Sequence, residues 1–149
     1  MMTYATEQEF MKVIVFQLAD KEYAIPVSYV SGIEKLMHIT RVPKTPHYVK
    51  GVINLRGVVT PIIDLRDRFG IVSTVNEETT RIIIVQLEDM EVGFVVDSAN
   101  DVLDIQASTI EPQPEVVGSL EEEFISGVAK LDKRLLILLH LEKVLNPLS

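Results

Sequence analysis

The side chains that invite a chemical reading in this chain are its three histidines, a scatter of carboxylates, serines such as Ser28, Ser31 and Ser126, and one oddly placed arginine. His38, His47 and His140 do not pair at the four-residue helical spacing of a zinc site. His140 follows the apolar run Leu135–Leu139, which suits a histidine at a core edge or on the surface rather than a metal ligand. Ser28, Ser31 and Ser126 have no histidine near them in sequence, so a triad would have to be assembled in space. Asp64 ends an apolar run and precedes a helical pattern, the position of an N-cap. Asp97, Asp101 and Asp104 alternate with apolar residues as on a solvated edge, Asp20 and Asp89 are turn residues, and Glu121–Glu123 reads as a solvated run. There is no G-x-x-x-x-G-K-S/T, no G-x-G-x-x-G and no G-x-S-x-G motif. Arg56 is different. It lies in Asn54-Leu55-Arg56-Gly57, between the apolar runs Val49–Leu55 and Val58–Ile63. A turn needs no cation, whereas an arginine offers five fixed donors and a planar face for recognition. The turn points to a recognition surface rather than to catalysis, the alternative being a plain surface arginine in a hairpin loop.

The elements that must position this turn are strands. Runs of β-branched residues broken at Gly read as two strands meeting in a hairpin. The same unit occurs twice, at a spacing of roughly 70 residues. Val13–Ile33 aligns with Ile82–Val102, with Gln17 on Gln86, Asp20 on Asp89 and Val27 on Val96. Val49–Phe69 aligns with Ile125–Leu145, with Gly51 on Gly127, Leu55 on Leu131 and Leu65 on Leu141. Each second block ends in a short amphipathic helical turn, Asp64–Phe69 and Leu141–Leu145. The second copy of the turn reads Lys130-Leu131-Asp132-Lys133, so the Asn-Arg-Gly chemistry belongs to the first half only. Short strands with Gly, Pro and Asp turns predict a mostly β chain of two small barrels or sandwiches, about five strands each. The junction is expected near Ser73–Thr80, and Thr109–Glu123 is expected to be an acidic, solvated connector.

Composition bounds the rest. A chain of 149 residues with 47% hydrophobic and 24% charged residues suits one domain or two small ones. Cysteine is absent, which excludes disulfides, thiolate catalysis and cysteine-ligated zinc. The net charge is −8 and Lys and Arg are scattered, which argues against nucleic acid and against anionic membrane surfaces. The N-terminus lacks the basic start and apolar core of a signal peptide. The longest apolar runs, Arg81–Val85 and Leu135–Leu139, fall far short of the ~20 residues that span a bilayer. A cytosolic protein is expected.

Against this background the sequence resembles the CheW-type chemotaxis coupling proteins. The resemblance rests on G-V-x-N-L-R-G-x-x-x-P-x-x-D-L-R at Gly51–Arg66. Also in agreement are Ala24–Val27 with Val30 and Ile33, Arg41-Val42-Pro43, Gly93 with Val95–Asp97, Asp101–Leu103 and Ile137–Leu145. It covers about Phe10 to Asn146. It implies one CheW-like domain over residues 1–149, built from two tandem five-stranded SH3-like β-barrels with short helical turns and a short C-terminal helix. The approximate sub-barrels are 10–75 and 76–146, with termini that cross between them. It implies no enzymatic activity, no cofactor and no metal. The implied partners are the cytoplasmic tip of a chemoreceptor (a methyl-accepting chemotaxis protein) and the regulatory domain of the histidine kinase CheA. The implied setting is cytoplasmic, recruited to receptor arrays at the inner face of the membrane. The protein would be a monomer in isolation that joins a ring or array with the kinase, without inserting in the membrane. Carried over residue by residue, the receptor-binding set is Val30, Asn54, Arg56 and Gly57. One position departs: where the family often has an acidic residue in V-x-E-I, this chain has Gly32, with Glu34 two residues later. Related modules occur in CheV-like proteins and as the kinase's own regulatory domain, so a module or fragment of such a protein is the alternative.

Overall fold

The computed structural model describes residues 9–72, 76–112 and 123–145. The chain runs β1 (Phe10–Leu18), β2 (Lys21–Pro26), β3 (Val30–Lys35), β4 (Val49–Leu55), β5 (Val58–Asp64) and α1 (Leu65–Phe69). It then repeats that order with β6 (Arg81–Leu87), β7 (Met90–Val96), β8 (Ser98–Gln106), the two-residue β9 (Ile110–Glu111), β10 (Ile125–Leu131), β11 (Arg134–Leu139) and α2 (Leu141–Leu145). The mostly β class, the four hairpin strands at Val49–Arg66 and its copy, and both helical turns agree with the sequence. The expected junction falls partly on residues 73–75, and most of the Thr109–Glu123 connector falls on residues 113–122. Both stretches lie outside the described residues. Thr109 itself ends a 3-10 turn, and Ile110–Glu111 form β9 rather than a solvated connector.

The strands make two sheets whose membership does not follow the two halves of the chain. One sheet has the order β8-β1-β2-β11-β10-β9 and the other β3-β6-β7-β5-β4. The first hairpin of each repeat is thus exchanged: β1–β2 completes the sheet built from the second half, and β6–β7 completes that of the first. The exchange is seamed by two matching parallel ladders. Leu136, Ile137 and Leu138 pair with Glu22, Tyr23 and Ala24. Ile62, Ile63 and Asp64 pair with Gly93, Phe94 and Val95. The extra strand of the first sheet is β9, which pairs with Val128 and Ala129 of β10. In the second sheet a single bridge, Thr40 to Val52, takes its place.

Strands β1 and β6 are apolar on both faces because each face meets a core. Ile83 and Val85 enter a large central cluster between the sheets, with Phe16, Tyr23, Phe69, Phe94 and Phe124. Ile82 and Ile84 enter a small cluster with Ile53, Ile62 and Val95. The first sheet has its own small cluster, from Val13 and Val15 to Ile105, Ala129 and Leu136. In the first sheet, residues from both edge strands reach the small cluster, Leu103 and Ile105 from β8 and Ile110 from β9, so that sheet curls around it. Each fully buried aliphatic side chain contributes about 1.5–3 kcal/mol, so the central cluster binds the two sheets firmly.

Candidate functional site

The turn joining β4 to β5 has only Arg56 and Gly57 between the paired residues Leu55 and Val58. Both have positive φ, 54° and 84°. That is the pattern of a type I′ hairpin, whose twist matches the flanking strands. The Asn54 side chain sets the turn: its Oδ1 accepts a hydrogen bond from Gly57 N–H at 2.9 Å. Arg56 is held in the left-handed region, which is unfavourable for a residue with a Cβ. Its side chain is exposed and makes no hydrogen bond or ion pair among the described residues. In the copied turn, Asp132 takes a φ of 43°, while Lys130, aligned with Asn54, reaches to Glu111 at 3.8 Å. The scaffold forms this hairpin without Asn, Arg or Gly.

Beside the turn lies apolar surface. Val58 is 49% and Val59 65% exposed. Strand alternation explains Val59: it points the same way as Ile63, which enters the central cluster, but lies past the rim of that cluster. The register extends this face across the whole second sheet. One row runs from Val30 to Val85 to Val92, reaching Pro61 and Val52. The next runs from Leu87 to Met90, reaching Val59 and Asn54. A hydrogen bond from Thr60 to Glu91 at 3.2 Å fixes the same alignment of β5 on β7. Asn54, Arg56 and Gly57 therefore sit in one turn. Val30 is on the opposite edge strand, four strand spacings or about 19 Å away. Both ends share one face, joined by Val85 and Val92, which are fully buried in the central cluster, and by half-buried Leu87, Met90 and Pro61. Gly32 lies beside the bulge that interrupts β3 between Val30 and Gly32.

The other arginine of the motif does different work. Arg66 is buried. Its Nε and Nη2 donate to the two oxygens of Asp64 at 2.9 and 2.8 Å, and its Nη1 donates to Asp97 at 3.2 Å. Asp64 also accepts from Arg66 N–H at 3.0 Å, which is the N-cap expected of it. Asp97 accepts from Ala19 N–H at 2.6 Å, in the turn of the exchanged first hairpin. The hydrogen bond from Arg66 to Asp64 raises the guanidinium pKa, against the lowering effect of burial. Asp97 is thus not a residue of a solvated edge: the fold covers it and pairs it. Asp101 and Asp104 do lie at an exposed edge, where they pair with Arg134 and Lys12. The sequence carried one weak signal for this network, an Asp and an Arg two residues apart at a strand-to-helix junction.

Arg68 was equally hard to read in advance. Its guanidinium lies over the rings of Tyr48 and Phe124, 4.3 and 4.6 Å from their centres. It also donates to the carbonyls of Val144 and Lys143 at 3.1 and 3.3 Å, at the C-terminal end of α2. A cation there meets the free carbonyls and the negative end of the helix dipole. Ser31 and Ser126 donate to the strand carbonyls of Ile84 and Leu138 at 3.4 and 3.3 Å, as structural hydroxyls do. Among the described residues no helix is long and apolar enough to cross a membrane.

Comparison with known proteins agrees with this geometry. The model of the CheW-like domain matches residues 12–148. The chemotaxis protein CheW of Bacillus subtilis is 47% identical over 91% of this chain and 86% of that protein. CheW of Thermotoga maritima is 31% identical over 100% of this chain and 97% of its own length. CheV3 of Helicobacter pylori is 30% identical over 85% of this chain but only 42% of its own length. Among solved structures, the scaffolding protein TtCheW of Thermoanaerobacter tengcongensis superposes with a TM-score of 0.86 and 36% identity, covering 93% of this chain and 94% of that one. This chain, with its exchanged hairpins and its Asn-Leu-Arg-Gly turn, belongs to the CheW-like family.

Proposed function

We propose that this protein is a non-enzymatic adaptor of bacterial chemotaxis that couples transmembrane chemoreceptors to the histidine kinase CheA, acting in the cytoplasm at receptor arrays. The observation that carries the reading is the face of the second sheet. Exposed Arg56, with no partner of its own among the described residues, and exposed Val59 stand at one edge, and Val30 at the other. The central cluster closes the middle of that face at Val85 and Val92, so a helix would dock on its open end, where exposed Val58 and Val59 flank Arg56. Spaced apolar anchors with one cation at the rim are what an amphipathic helical hairpin requires of a docking groove. Val30, Asn54, Arg56 and Gly57 are the proposed receptor-binding residues: Arg56 as contact, Asn54 and Gly57 as its positioning residues, and Val30 as an apolar anchor. The kinase would be engaged through its homologous regulatory domain, giving rings or arrays of alternating modules.

The test is a reconstitution of receptor, kinase and this protein, with kinase activity as readout. The reading expects activation that depends on the protein and is lost in Arg56→Glu. Equal activity with the protein omitted overturns it. A second reading, a CheW-like module of a larger signalling protein, rests on the partial-length match to CheV3. Activation by this chain alone would decide against the second reading.

A further inference from the structure

We propose that the segment between β3 and β4 is a second docking site, for an acidic, apolar segment of a partner protein. The scatter of cations along the sequence hides a segregation. From Lys35 to Ile63 there are five cations (Lys35, Arg41, Lys44, Lys50 and Arg56) and no carboxylate, in a chain of net charge −8. From Ile82 to Ala129 there is neither cation nor histidine. The stretch of the second repeat that aligns with this segment carries Glu115 and Glu121–Glu123 instead, so the repeat does not require cations here.

The structure folds the basic segment into a cleft of about 610 Å³, lined by Arg41, Val42, Pro43, Lys44, Pro46 and Lys50 among others. Arg41 and Lys44 are exposed and have no hydrogen bond or ion pair among the described residues. Lys50 is paired with Asp67 and closes one side. The loop is built rather than loose. Thr40 exchanges two backbone hydrogen bonds with Val52, at 2.9 and 2.8 Å. Thr45 Oγ1 donates to Val42 O at 3.1 Å, and Val49 N–H to Pro46 O at 3.0 Å. Lys44 is held at a φ of 63°. Unpaired cations over a floor of Val42, Pro43 and Pro46 match a ligand with carboxylates beside apolar side chains. An extended anionic membrane fits less well, because it meets the field of the whole anionic molecule, whereas a peptide meets only the cleft. Lys50, near the start of β4, and Arg56, in the turn just past its end, stand six residues apart along an extended strand, about 20 Å, so this site is separate from the Arg56 turn.

The experiment uses the full chain, labelled with ¹⁵N, titrated with a short peptide of Glu alternating with Leu and Val, and with the same peptide carrying Gln for Glu. The proposal expects shifts centred on Ile39–Lys50 with the Glu peptide only. The affinity should fall between about 0.1 and about 1 M salt, as the screening length contracts from about 10 to about 3 Å. It should fall at least about tenfold in Arg41→Glu with Lys44→Glu, and be unchanged within about twofold in Arg56→Glu. If the charge-reversed variant does not fold, Arg41→Gln with Lys44→Gln gives the same comparison. Equal binding of the Gln peptide overturns the proposal, as do shifts centred elsewhere. Two further outcomes also overturn it: flotation with phosphatidylserine vesicles in place of peptide binding, and self-association lost in the charge-reversed variant in place of peptide binding.

Discussion

Arg56 and Arg66 stand ten residues apart in one motif and answer opposite physical demands. Arg56 is exposed, unpaired among the described residues and set on a strained turn, so replacing it removes nothing the fold uses. Arg56→Glu is expected to shift stability by no more than about 0.5 kcal/mol while abolishing kinase coupling; a cooperative loss of folding in a thermal melt would assign it a structural role. Arg66 is buried between Asp64 and Asp97. Removing it strands two carboxylates, so Arg66→Ala is expected to cost about 3–5 kcal/mol in urea unfolding. A loss under about 1 kcal/mol would show that water satisfies the site instead. The raised pKa of Arg66 has a defined sign. Its stabilisation is fully present at every pH below the ordinary arginine value and is lost only as pH rises through the raised one. The difference between wild type and Arg66→Met should therefore stay flat from about pH 6 to about pH 9.

At the scale of elements, the bulged edges of the two sheets depend on matched glycines. A Cβ on Gly51 would lie 2.0 Å from the carbonyl oxygen of Thr40, and one on Gly127 2.7 Å from that of Glu111. Both glycines let a short edge segment pair with β4 or β10. Gly57 has nothing within 4 Å, so only its φ demands glycine. Gly51→Ala is thus expected to cost well over about 2 kcal/mol, by displacement of the Thr40–Val52 bridge, and Gly57→Ala only about 1 kcal/mol. Equal losses in denaturant unfolding would remove the close-approach argument. This contrast was legible in part: the repeat aligned Gly51 with Gly127, but no pattern in the sequence announces which backbone will approach them. The role of Arg68 was illegible for the same reason, since Tyr48, Phe124 and the end of α2 come together only in the fold.

At the scale of the whole molecule, the exchange of hairpins decides cooperativity. Each half contributes its first hairpin to the other half's sheet, and the central cluster lies between the two. Fragments 1–75 and 76–149 should each be unfolded alone by circular dichroism and regain native signal when mixed. A folded signal from either fragment alone would show that the sub-barrels are independent. The same exchange puts β3 and β4 at opposite edges of one sheet, so Val30 and the Asn54–Gly57 turn lie at the two ends of a single face.

The sequence by itself determined the strands, the turns, the repeat and the helix cap at Asp64, because these follow from local spacing: period-two burial, positive-φ turns and a carboxylate ahead of a helical turn. It also singled out Arg56, a cation where a turn needs none. Only the tertiary structure decided which strands share a sheet, since parallel pairing between residues far apart in sequence leaves no local trace. That pairing carries Asp97 from an expected solvated edge to Arg66 and sets Val30 and Asn54 on one face, while the Thr40–Val52 bridge folds the loop that holds Arg41, Lys44 and Lys50 around a cleft.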